Sequence, residues 1–210
     1  MIVMFFMINF FCLIFFKDSK LQLKIRAILN LINSIFTSKE INFMKTLYIH
    51  GLESFPVPGK IEIMQKLGLE VTALHLDYFL KPDSFEILKN EAIKNYVEFI
   101  IGSSYGGFLG YWLAEDLGLP CLLFNPAMAY KTELEMNIPE ILNLKCPERY
   151  VVLGVNDDVV DPLANAKFMK NNDRKNIIQK VISCHWLGHQ IDFDTFEMMV
   201  QWAVNTIKNN

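Results

Sequence analysis

The chain has 210 residues, 52% of them hydrophobic and 20% charged, with a formal net charge of −3. That length holds one α/β domain with a sizeable core, and the mild negative charge leaves no basic footprint for nucleic acid. The four cysteines, Cys12, Cys121, Cys146 and Cys184, show neither a CxxC pair nor metal-ligand spacing and read as small buried thiols in a reducing compartment.

Residues 1–16, MIVMFFMINFFCLIFF, are apolar except for Asn9, and Lys17, Lys20, Lys24 and Arg26 follow. The stretch lacks the basic start and small-residue cleavage site of a secretory signal. As a helix it reaches about 24 Å, short of the roughly 30 Å hydrocarbon core. Two readings follow for residues 1–43. In the favoured one they are a translated AT-rich leader, dominated by Phe, Ile, Leu, Asn and Lys, and a cytoplasmic protein begins at Met44. In the other they anchor the chain to a membrane, with the basic residues keeping the rest on the cytoplasmic side. Membrane contact is expected only under the second. In both, residues 44–210 form the folded domain.

From Thr46 onward strands and helices alternate. TLYIHG (46–51) is a short apolar run ending in His-Gly. KIEIMQKLG (60–68) has helical spacing and stops at Gly68. EVTALHLD (70–77) reads as a strand. DSFEILKNEAIKNY (83–96) predicts a helix opened by an Asp83/Glu86 capping box, with Phe85, Leu88, Ala92 and Tyr96 on one side. VEFIIG (97–102) is a strand of the buried type, and YGGFLGYWLAEDLG (105–118) a helix closed by Gly118 and Pro120. CLLFNP (121–126) and RYVVLG (149–154) are further strands. DPLANAKFMK (161–170) predicts a helix with Asp161 as cap and Pro162 at its first position. NIIQKVIS (176–183) is a sixth strand, and from about Asp194 a last helix buries Phe196, Met199, Val200, Ala203, Val204 and Ile207. Several strands are continuous apolar runs, as in a parallel sheet covered on both faces. The fold class is therefore α/β: a doubly wound, mostly parallel sheet of about six strands.

Such sheets bind ligands beyond the carboxyl ends of their strands. The residues found there are His50-Gly51, Asp77, Gly102-Ser103-Ser104, Asn125-Pro126, 154–161 and 185–189. Gly102-Ser103-Ser104-Tyr105-Gly106 fits G-x-S-x-G, after a strand and before a helix, which is the context a nucleophilic serine needs. The turn is tight, so the residues two places either side of the serine must lack side chains; Gly102 and Gly106 qualify. Ser103 fails that spacing, because Ile101 and Tyr105 flank it. The helix start behind Ser104 adds a positive dipole end where an oxyanion develops. A glycine-rich turn that binds phosphate through its amides is the rival reading.

GVNDDVVDP offers three carboxylates. Asp161 already has a capping task, so Asp157 is preferred as the acid partner of a histidine, with Asp158 next. Gly188-His189 lies in the loop before the final helix and is the preferred base; His185 is the alternative. His75 is assigned a structural role at its strand end, and His50 the shaping of the loop that follows it. Gly51 and Asn125 are the candidate substrate-binding positions, Asn125 being equally open to a role in ending its strand.

TLYIHGL, IIGSSYGG, LFNPA, GVNDDVVDP and GLGHQ together resemble the YqiA-like esterase family of small α/β-hydrolases, over residues 45–207. The resemblance implies an α/β-hydrolase fold with little or no lid, no cofactor and no metal, and hydrolysis of carboxylic esters or acyl thioesters. It implies Ser104 as nucleophile, Asp157 as acid, His189 as base and the backbone amides of Tyr105 and Leu52 as oxyanion hole. Family members often carry Leu where this chain has Tyr105, which leaves the amide in place and alters the pocket wall. Only residues 127–148 separate Pro126 from the next strand, too few for a large cap, so an open cleft for small to medium acyl groups is expected. The expected partner is a small-molecule acyl ester. An acyl-CoA thioesterase is the alternative enzyme, and a non-catalytic binding protein on the same fold is the alternative of another class.

Overall fold

The β-rich segments become strands because each is short, apolar and bounded by glycine, proline or a polar turn. The computed structural model of the protein describes residues 28, 43–128, 140–141 and 144–209. The chain divides into two units, Met1–Asn42 and Phe43–Asn210, and everything below concerns the second. The leader and anchor readings of residues 1–43 thus lie almost wholly outside the described residues, and so does most of the short connection expected to leave the cleft open. Among the described residues no helix is long and apolar enough to cross a membrane.

The strands are β1 (Met44–Ile49), β2 (Leu69–Ala73), β3 (Phe99–Ser103), β4 (Cys121–Phe124), β5 (Glu148–Gly154) and β6 (Ile178–Cys184). The helices are α1 (Pro58–Lys66), α2 (Ser84–Lys94), α3 (Tyr105–Leu117), α4 (Pro162–Asn171) and α5 (Phe193–Lys208). The sheet order is β2-β1-β3-β4-β5-β6, and every neighbouring pair is parallel. The chain leaves β1 for the β2 edge and returns past β1 to begin β3. That reversal opens a crevice at the carboxyl ends of β1 and β3.

The strand period of two divides the core. Leu47, Ile49 and Ile100 pack on one face with Leu88 of α2, Leu109 of α3 and Met169 of α4. Tyr48, Ile101 and Phe124 pack on the other with Met64 of α1 and Phe196 and Val200 of α5. Each such fully buried aliphatic side chain contributes on the order of 1.5–3 kcal/mol. The β6 edge is mostly exposed or half-buried, matching its polar sequence.

Local departures have local causes. The Asp83/Glu86 capping box is not made: Asp83 makes no side-chain cap, and Ser84 Oγ donates instead to the Lys81 carbonyl at 2.6 Å. Asp161 does cap α4, its Oδ1 accepting from Leu163 N at 2.9 Å. The last helix starts at Phe193, with Asp192 accepting from Thr195 N at 2.8 Å. β2 ends at Ala73, so His75 lies beyond the strand and is exposed; its ring stands edge-on to His50 at 5.6 Å.

Candidate active site

Ser104 joins β3 to α3 with φ 55° and ψ −120°, a left-handed backbone that a non-glycine residue adopts only when its surroundings enforce it. The enforcing contacts are visible. Ser104 N donates to Phe124 O at 2.9 Å, and Ser104 O accepts from Ala127 N at 3.0 Å. A Cβ on Gly102 would stand 2.3 Å from Gly106 O, and one on Gly106 would stand 2.2 Å from His50 O. Both glycines are thus required by close backbone approach: α3 begins almost in contact with the end of β1.

The loop after β1 supplies the opposite wall. His50 is buried, and its Nε2 accepts from Leu76 N at 3.1 Å. The ring proton therefore sits on Nδ1, which donates to Gly51 O at 2.7 Å. Tyr78 O–H donates to His50 O at 2.9 Å. Burial holds the His50 pKa below the ordinary imidazole range. His50 therefore shapes this loop. Gly51 lies against the serine, where a Cβ would be 3.3 Å from Ser104 Cβ. Among the described residues the amides of Leu52 and Tyr105 donate to no backbone acceptor.

The third wall comes from the loops after β5 and β6. Asp157 accepts at Oδ1 from Val159 N and Val160 N, at 2.9 and 2.8 Å, which fixes its carboxylate. That carboxylate meets His189 Nδ1 at 2.9 and 3.0 Å. An ionised carboxylate only accepts, so Nδ1 carries the proton and Nε2 is left as an acceptor. A Cβ on Gly154 would be 2.6 Å from both Leu187 O and Gly188 O, so the two loops also pack backbone to backbone.

Asn125, at φ 42°, is 1% exposed and lies beneath this wall. Its Nδ2 donates to Gly188 O at 2.8 Å and its Oδ1 accepts from Gly154 N at 2.7 Å. It ties the histidine loop to β5. The side-chain amide of Asn125, a candidate substrate-binding position, is thus engaged on both sides. The bridge left no local trace in the sequence, its partners being 63 and 29 residues away.

Ser104 and His189 line two adjoining clefts. The smaller, about 90 Å³, is also walled by Gly51, Tyr48, Ser54, Lys60 and Ser103. The larger, about 240 Å³, is walled by Tyr105, Ala127, Val159 and Val160. Ser104 and His189 are not hydrogen-bonded to each other, a looseness common where no substrate is bound. Asp158 is exposed, and so is His185, whose carbonyl accepts from Asn156 Nδ2 at 2.7 Å. Among the described residues no group of three or more His, Cys, Asp or Glu side chains is placed to hold a metal ion. The arrangement sets a hydroxyl, an imidazole acceptor and two unengaged amides around one crevice, the ingredients of acyl transfer.

An open parallel sheet flanked by helices, with its crevice at this point, makes the molecule an α/β hydrolase by architecture. Among solved structures it is similar to a monoacylglycerol lipase from Paleococcus ferrophilus, with a TM-score of 0.60 and 12% identity over 77% of this chain and 94% of that one. A Bacillus cereus carboxylesterase gives 0.56 and 16%, over 80% and 90%. A Xanthomonas campestris α/β serine hydrolase without a lid gives 0.54 and 14%, over 78% and 81%. At these identities the likeness is one of fold. No curated protein matches the chain. The model of an uncharacterised protein family, UPF0227, matches residues 45–181, and the chain belongs to that family, the YqiA-like esterase group.

Proposed function

We propose that the protein is a serine hydrolase that cleaves carboxylic esters of small to medium acyl groups. The observation that carries this is His189, paired to Asp157 at 2.9 Å, lining the same crevice as a serine held at positive φ. His189 Nε2 takes the Ser104 proton as Oγ attacks the acyl carbonyl. The amides of Leu52 and Tyr105 stabilise the oxyanion, with the α3 dipole behind them. His189 returns the proton to the departing alcohol, and water then releases the acyl group by the same steps in reverse roles. Asp157 keeps the imidazole in the Nδ1–H tautomer. Thioesters are open to the same steps, and paired oxyester and thioester substrates measure the preference. The buried free thiols Cys121, Cys146 and Cys184 fit a cytoplasmic location.

A fluorophosphonate probe tests the assignment. It should label the wild-type chain at Ser104 and leave Ser104→Ala unlabelled, with kcat lowered roughly 10⁴- to 10⁶-fold in the variant. Labelling that persists in Ser104→Ala overturns the assignment.

A further inference from the structure

The two clefts beside Ser104 differ in chemistry. The larger has Val159, Val160, Ala127 and Tyr105 for walls and Glu53 at its rim, which suits an uncharged acyl chain and repels an anion. The smaller holds Lys60 and Tyr48. Lys60 is half-buried, and among the described residues its Nζ has neither an ion pair nor a hydrogen bond. Its Nζ lies over the Phe196 ring at 5.2 Å, and Tyr48 packs edge-on to the same ring at 6.2 Å. Tyr48 is 2% exposed, and among the described residues its hydroxyl makes no hydrogen bond and keeps some contact with solvent. Burial lowers the Lys60 pKa, and Asp192 opposes that shift only from a distance, its Oδ1 being engaged in capping α5. Gly59 sets the geometry: a Cβ there would stand 2.9 Å from the Phe193 ring, so α1 seats closely on the start of α5 and holds Lys60 at the cleft wall. An ammonium with no salt bridge and a phenol hydroxyl in the wall of one cleft form a donor pair that suits an anion.

We infer that the small cleft receives a carboxylate carried by the leaving group, held by Lys60 Nζ and Tyr48 O–H, so that the substrates are acyl esters of small hydroxy acids. This rests on the hydrolase chemistry proposed above. The ester C–O bond breaks as Ser104 Oγ becomes acylated, the leaving oxygen takes the proton from His189, and the hydroxy acid departs with its carboxylate unchanged. Water then returns Ser104 and releases the acyl acid.

O-butyryl glycolate and O-butyryl glycolamide differ in charge at nearly constant shape. The wild-type kcat/KM should favour the glycolate ester by about tenfold or more, in line with one charge-assisted contact. The ratio should fall toward one in Lys60→Met, fall below one in Lys60→Glu, and fall partway in Tyr48→Phe. A wild-type ratio of one or less, or a ratio unmoved in Lys60→Met, overturns the inference. Calorimetry on Ser104→Ala needs no turnover: glycolate should bind more tightly than glycolamide, and equal binding overturns the site. If neither ester is cleaved and Ser104 takes no probe, the hydrolase proposal fails, and calorimetry still decides the cleft.

Discussion

Two carboxylates stand near opposite ends of β5, each against nitrogen bases, and they differ in every other respect. At the amino end, Glu115 of α3 is fully buried and accepts four hydrogen bonds: from Arg149, twice from Arg174, and from Cys146 N. Arg149 also donates to Gln179 Oε1 at 2.7 Å, and its guanidinium lies 4.0 Å from the Tyr111 ring centroid. Both arginines are permanently charged, and the carboxylate has no lone pair to spare. At the carboxyl end, Asp157 holds the His189 imidazole, whose side chain is 14% exposed and whose second nitrogen has no hydrogen bond among the described residues. This cluster, its carboxylate fully used although Nε of Arg149 and of Arg174 has no partner among the described residues, fixes where α3, β5 and β6 meet. The unsaturated pair keeps one valence for a ligand.

Breaking each cluster separates the two kinds of carboxylate. Asp157→Asn should give the largest effect, a roughly 10⁴-fold loss in kcat through the wrong His189 tautomer, with little change in melting temperature. Near wild-type turnover in Asp157→Asn together with an inactive Asp158→Asn would reassign the acid. Glu115→Ala strands the buried Arg149 guanidinium and the partly exposed one of Arg174, and should destabilise the fold by about 3–5 kcal/mol, as read by urea unfolding. Probe labelling per folded molecule should survive at low temperature. Labelling lost while the far-ultraviolet spectrum is retained would show that the two ends are coupled.

Two smaller effects sharpen the contrast. Asp161→Ala removes the α4 cap and should cost about 1 kcal/mol without touching turnover, in contrast to its neighbour Asp157. His50 gives a pH signature. Its folded pKa is lowered by burial, so the unfolded chain takes up a proton first as pH falls below about 6.5. Stability should therefore decline from there downward, and His50→Gln should show a shallower decline in melting temperature. Equal slopes would mean that other groups set the acid limit.

The end of the sheet that carries Ser104 was more legible in the sequence than the end that carries Glu115. Gly102 and Gly106 were readable because the serine turn leaves no room for side chains, and the backbone approaches of 2.3 and 2.2 Å give the reason. The six strands and five helices among the described residues appear in the expected order, because their periodicity and stop signals are local. The capping box at Asp83 looked equally local and does not form, because Ser84 engages Lys81 instead. Asn125 left two roles open in the sequence, and its bridge to Gly188 and Gly154 joins positions too distant in the chain to be read there. Glu115 and Arg149 drew no notice, since each is an ordinary charged residue until a pairing 34 positions apart buries both.

The strand order also governs when the crevice is completed. The turn that carries Ser104 follows β3, in the middle of the sheet, whereas the loop that carries His189 follows β6, at its edge. A ribosome delivers the chain from the amino end, so the serine turn emerges before the segment that pairs last. On the proposed chemistry, a nascent chain with its nucleophile already exposed has no base to activate it. Hydrolysis begins only when β6 docks beside β5 and draws the imidazole to Asp157. On that chemistry, the order of synthesis itself withholds activity until the last strand has paired.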